Sequence, residues 1–160
     1  MKEIGWYWFS WPYFQWMVYV YKNFGENALI RGDKEVSGRF GLKLGNSFKE
    51  EFKDFVGDEL SLLLNALKMT PWFLEDMTIA KQTGDTMILE ANNCSFQRSW
   101  AKIFGKPYPH CIEAHQGFLE GFTKGLGLRI RVSPLSRPTF YNNYSCSFIF
   151  RLPTTSKKSG

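Results

Sequence analysis

The chain has 160 residues, 44% of them hydrophobic and 18% aromatic, with 20 basic and 15 acidic side chains and a formal net charge of +5. That size suits one domain with one sizeable core, over residues 1–152 with a loose tail at 153–160, and argues against two domains. The basic residues are dispersed among acids such as Glu50, Glu51, Asp54 and Asp58 without a nucleic-acid motif, and three cysteines with no CxxC pair argue for a reducing cytoplasm rather than a disulfide framework.

The chain opens on an uncharged aromatic run, GWYWFSWPYFQWMVYVY at 5–21, closed by Lys2, Glu3 and Lys22. A transmembrane helix needs about 20 mainly aliphatic residues, whereas Trp and Tyr favour the headgroup boundary, where their polar atoms stay wet. Trp6, Trp8, Trp11, Trp16 and four tyrosines are spread through this run, so neither a span nor a leucine-rich secretory signal fits. The run predicts a helix with Ser10 as N-cap and Pro12 in its first turn, ending at about Phe24 before Gly25. Phe14, Met17, Val18 and Tyr21 form one stripe, and Trp16, Tyr19 and Val20 leave the opposite side apolar. One face suits the chain's own core. The other either lies in the same core, making a fully buried helix, or meets a partner: a second copy in a homodimer in which Trp16 and Tyr19 make much of the contact, or, less favoured, a membrane or a bound ligand.

Glu26 to Phe55 reads as helical but carries Gly32, Gly38, Gly41 and Gly45, each costing roughly 1 kcal/mol relative to alanine inside a helix. The glycines therefore indicate either close backbone packing or breaks between shorter helices. Asp58 to Leu67 predicts a short amphipathic helix. Met77 to Thr83, the turn Gly84-Asp85 and Thr86 to Ala91 predict a β-hairpin from alternation on both arms. Helices follow over SFQRSWAKIFG and over Cys111 to Lys124, then strands over Leu128 to Ser133 and Ser145 to Leu152. Helices first, then an antiparallel four-stranded sheet with two helices inserted between its hairpins, is an α+β domain.

The segment HCIEAHQGFLEGF, with its cysteine opening a helix and its GFxxGF repeat, is followed by a strand, a loop and a last strand starting YSCSFIF. Together with the glycine-spaced RGDKEVSGRFGLKLG upstream, it resembles the 4-vinyl reductase-type domain over residues 25 to 152. That superfamily includes hydrocarbon-sensing domains of bacterial activators, stand-alone archaeal proteins, trafficking-complex subunits and haem nitric-oxide sensors. NNC at 92–94 is also similar to small relatives grouped with aminothiazoline-carboxylate hydrolase. The resemblance implies a ligand-binding fold, commonly dimeric, rather than one activity.

In the hydrocarbon-sensing members a zinc ion is held by a cysteine opening the last helix, an acid and a cysteine in the following strand region, and a cysteine before the last strand. Cys111 and Cys146 match the first and last of these. The middle pair is missing, because VSPLSRPTFYNN carries neither cysteine nor carboxylate. Cys94 and His115 could complete a Cys₃His set, since Cys111 and His115 lie four apart on one helix face. Two other readings stay open: the cysteines pack as small apolar side chains, or Cys94 or Cys111 is a nucleophile with His115 as its base.

Trp72, Phe73, Phe96, Trp100, Phe118 and Phe122 lie on elements that the family arrangement brings together, and would line a space for a hydrophobic or planar small molecule. The expectation is therefore a cytoplasmic ligand-binding or sensing protein, without an assigned catalytic residue. The alternatives are a cysteine-dependent small-molecule hydrolase and a structural subunit for protein contacts.

Overall fold

The structure, a computed structural model, describes residues 2–70, 77–92, 94–108, 110–139 and 145–153. Trp72, Phe73 and the tail after Pro153 lie outside the described residues, as do the side chains of Trp6, Trp8, Trp11 and Phe96. Five helices and four strands are described in chain order: α1 (Lys2–Phe24), α2 (Glu26–Lys49), α3 (Glu59–Lys68), β1 (Met77–Thr83), β2 (Thr86–Ala91), α4 (Ser95–Phe104), α5 (Cys111–Leu126), β3 (Arg131–Ser136) and β4 (Cys146–Arg151). The α+β class and the insertion of two helices between the β1–β2 and β3–β4 pairs are as the pattern predicts.

The first helix begins at Lys2 rather than at Ser10, so Pro12 lies inside it. Its missing N–H takes one rung from the ladder, at a cost of about 3 kcal/mol, without ending the helix. Gly25 ends it at φ +83°, a conformation that costs glycine little. Phe14 and Met17 are buried, as expected of the inner stripe. Trp16 departs from its expected place outside: it stacks on Tyr13 with ring centroids 5.8 Å apart and covers Gly32. Of the supposed dimer pair only Tyr19, 58% exposed, faces outward.

The glycines of α2 resolve in favour of close packing. The helix is unbroken to Lys49, and turns replace it over 50–54. A Cβ built on Gly41 would strike the Phe118 carbonyl, one on Gly45 the Phe122 carbonyl and one on Gly121 the Gly38 carbonyl, while one on Gly125 would lie 2.5 Å from the Leu42 oxygen. Glycines on both helices thus let the backbones of α2 and α5 touch, which no larger residue permits.

Asp58 caps α3 by accepting from the Ser61 amide at 2.7 Å. The sheet order is β1-β2-β4-β3, antiparallel throughout. Strand β3 starts three residues later than the sequence predicts. The reason is the end of α5: Gly127, at φ +81°, donates to the Lys124 carbonyl and Leu128 to that of Thr123, so the residues after the helix complete its cap. Pro134 falls within β3, which the sheet order makes an edge, where a missing donor is tolerated. The main core joins Met87 and Leu89 of β2 and Phe148 and Phe150 of β4 to Leu60, Leu63 and Leu67 of α3 and Leu119 and Phe122 of α5. A second cluster holds Phe14, Met17, Leu29, Trp100, Tyr108 and Cys111.

Candidate functional site

On α2 the inward stripe advances in steps of four, through Leu29, Asp33, Ser37, Gly41 and Gly45. Asp33 thereby comes to be 1% exposed beside the second aromatic cluster. A buried carboxylate is costly unless its oxygens find donors. Here Tyr13 of α1 donates to Oδ1, and Tyr108, before α5, donates to Oδ2 at 2.8 Å. Ser37 Oγ lies 3.0 Å from the Tyr13 hydroxyl. Tyr108 is itself fixed by Gln97 of α4, whose amide gives to the Tyr108 carbonyl at 3.0 Å and whose oxygen takes the Tyr108 N–H at 2.8 Å. Helices α1 and α2 and the α4–α5 connection therefore meet on one carboxylate, and α4 supports it through Tyr108.

Burial pushes the Asp33 carboxyl above the ordinary aspartate range, against the pull of the Tyr108 hydroxyl, the two histidines and Ser37. Burial likewise raises the Tyr108 phenol, and the negative Asp33 beside it adds to the effect. Cys111 lies next to this group. Burial pushes its thiol up to about 12, the hydrogen bond from Gln97 opposes this, and the Asp33 and Glu113 charges reinforce it.

His115 Nδ1 stands 3.0 Å from Cys111 Sγ and 2.8 Å from the Cys111 carbonyl oxygen. With its proton on Nδ1 the ring donates to that carbonyl and offers the thiol no base on that side. With the proton on Nε2, Nδ1 can accept from the thiol. Around this group, His110 Nε2 lies 3.3 Å from Glu26 Oε1, and Arg137 donates to Glu113 at 2.6 Å. Burial works to raise the Glu113 carboxyl, but hydrogen bonds from Arg137 and the backbone and the Arg137 charge outweigh it and hold it low. The other Glu113 oxygen, Oε2, is buried and accepts no hydrogen bond among the described residues.

The four supposed zinc ligands are not gathered. Cys111 and His115 touch, while Cys146 packs in the main core and Cys94 precedes α4. Among the described residues no three His, Cys, Asp or Glu side chains could share an ion. Among the described residues, therefore, the four do not form one donor set. Of the expected ligand-lining aromatics, the three whose side chains are described lie in two places. Trp100 is enclosed by Phe14, Tyr21, Phe104 and Tyr108, whereas Phe118 and Phe122 stack on each other at 5.8 Å against the main core.

Asp33, Tyr13, Tyr108 and Gln97 were not singled out by sequence reasoning. The signal was the acid at 33, set in an otherwise apolar or small stripe at four-residue steps. Nothing local in YPH distinguishes Tyr108 from a loop residue.

The fold and the site define an α+β domain built around a buried, tyrosine-bound carboxylate. No family model and no curated protein matches the chain. A solved structure described as "Modulating Heme Redox Potential Through Protein-Induced Porphyrin Distortion" is similar over 85% of this chain and 71% of that one, at 15% identity and a TM-score of 0.46. A likeness of that degree assigns neither ligand nor chemistry.

Proposed function

We propose that the chain binds a small molecule at the Asp33 cluster: a planar or largely apolar compound carrying a hydrogen-bond donor or a positive group. The observation that carries this reading is Asp33 itself, a desolvated carboxylate reached by side chains from separate elements. A buried acid whose pKa is raised among ionisable neighbours is a mark of functional sites. The aromatic surroundings of Trp100, Tyr108, Phe14 and Tyr21 suit the apolar body of such a ligand, and the idle Glu113 Oε2 is a second acceptor nearby. In this reading Tyr13, carried on α1 and joined to α2 through Gly25 alone, satisfies Asp33 until a ligand donor replaces it.

The cysteine hydrolase is the less supported alternative. A nucleophilic cysteine needs a lowered thiol pKa and access. Cys111 is 1% exposed and shifted the opposite way.

Thermal-shift screening with planar aromatic amines and amidines tests the proposal, with Asp33→Asn as the comparison. Compounds of this class are expected to raise the melting temperature of the wild type and not of the variant. Equal shifts in both proteins, or none in either, would refute it.

A further inference from the structure

Two stretches of the sequence lack any acidic residue: Ile4 to Gly25, and Ala91 to Ile112. They are far apart in the chain, yet the fold packs them together. Tyr21 of α1 meets Trp100 and Phe104 of α4 with ring centroids 5.6 and 5.0 Å away, and Lys106 Nζ lies 5.8 Å from the centre of the Tyr21 ring. Among the described residues of the two segments, the exposed side chains are apolar ones and cations, with the neutral Gln15, Asn23 and Asn92 between them. Tyr19, Phe24 and Ile103 are 58%, 64% and 51% exposed, and Lys22, Arg98, Lys102 and Lys106 are exposed cations. The nearest acid along the chain, Glu26, faces His110.

We infer that this α1–α4 flank docks on the surface of an anionic lipid bilayer. The pairing of exposed rings and cations is what an interface asks for. Aromatic and aliphatic side chains enter the headgroup boundary, and Lys and Arg lie along it with their charges among the phosphates. The absence of carboxylates from both segments removes the repulsion that would oppose contact with such a surface. No helix among the described residues is long and apolar enough to cross a membrane, so the contact is peripheral. Helix α4 takes part through the exposed Arg98, Lys102 and Ile103, while Gln97 and Trp100 are buried. This surface is separate from the Asp33 cluster, and its test does not depend on that reading.

The test is vesicle flotation of the full chain, comparing phosphatidylcholine vesicles with vesicles containing about one third phosphatidylserine. The chain is expected to float with the anionic vesicles only, and less as salt rises. Replacing Lys22, Lys102 or Lys106 singly by Gln should weaken partitioning about fivefold each. Lys68→Gln, an equal charge change on α3, should leave it unaltered. Phe24→Ala should weaken it without changing its salt dependence. All of these positions are exposed, and circular dichroism verifies that each variant folds. Absence from anionic vesicles, equal floating on neutral ones, or an equal loss for Lys68→Gln would overturn the proposal. So would sedimentation as a dimer that Tyr19→Glu dissolves, since a second copy would then cover the flank.

Discussion

Alanine at Gly38 and alanine at Gly41 should change stability in opposite directions, although the two glycines lie within one turn of the same helix. Either substitution gains helix propensity, about 1 kcal/mol relative to glycine. At Gly38 the new methyl would lie 3.6 Å from the Gly117 oxygen, an ordinary contact, so most of that gain remains. At Gly41 the methyl would overlap the Phe118 carbonyl and sit 2.9 Å from its carbon and 3.0 Å from the Phe122 nitrogen. These are backbone atoms of a helix and cannot rotate away, so α2 and α5 must separate by roughly 1 Å, a gap at which packed atoms forfeit a quarter to a half of their attraction. Overpacking of this kind costs about 1–3 kcal/mol, and lost contacts along the seam add to it. The net expectation is a loss of about 2–3 kcal/mol for Gly41→Ala and a gain of up to about 1 kcal/mol for Gly38→Ala. For a domain of this size that corresponds to melting temperatures about 5–10 °C lower and about 2–4 °C higher. Thermal and urea unfolding followed by circular dichroism measure both. A Gly41→Ala protein as stable as the wild type, or two variants destabilised equally, would refute the backbone-contact argument.

Because burial raises the Asp33 carboxyl, the folded chain keeps that proton where the unfolded chain, near the usual value of about 3.9, has lost it. The stabilising contribution is full below about pH 3.9 and is lost as pH rises through the folded value, so Asp33→Asn should flatten the fall in stability over that window in urea titrations run at several pH values. The Cys111 thiol, pushed up to about 12, should react with iodoacetamide at least about a hundredfold more slowly in the native protein than after unfolding in urea; mass spectrometry of the labelled peptide reads the rate, and a fast native thiol would restore the hydrolase reading. Asp58→Ala removes the cap of α3 and should cost about 1 kcal/mol in urea unfolding, while Asp58→Asn should cost less. Zinc or chelator added to purified protein should leave its melting temperature unchanged, and a chelator-induced fall of several degrees would show that the cysteines gather on an ion after all.

What could be read from residues alone was what local chemistry decides. The β1–β2 hairpin is legible because alternation and Gly84-Asp85 act over a few residues, and its register runs Thr83 opposite Thr86 as the turn requires. The cap at Asp58 and the stops at Gly25 and Gly105 are equally local. The start of α1 was not legible, since Ser10 and Pro12 form a convincing first turn and nothing in the preceding aromatic residues says that the helix is already under way. The two readings of the α2 glycines could be separated only by their partners on α5, a tertiary fact. The Asp33 cluster was not legible for the same reason. The zinc set followed a resemblance, and the cysteines that carry it end in different cores. Asp33 becomes conspicuous only once its neighbours at 13 and 108 stand beside it.

The sheet order has a consequence for synthesis. Strand β4 lies between β2 and β3, which never pair with each other. Until residues 146–151 have left the ribosome, the inner edge of β2 has no partner, and β3 has no place to settle. Helices α1 to α5 and the first hairpin can form as they emerge, but the core stays open on the side that Phe148 and Phe150 fill. Folding of this chain is therefore closed by a late central strand, not by an edge added to a finished sheet. A nascent chain stalled before residue 146 should be held by chaperones, whereas one stalled with 151 well clear of the exit tunnel should resist protease.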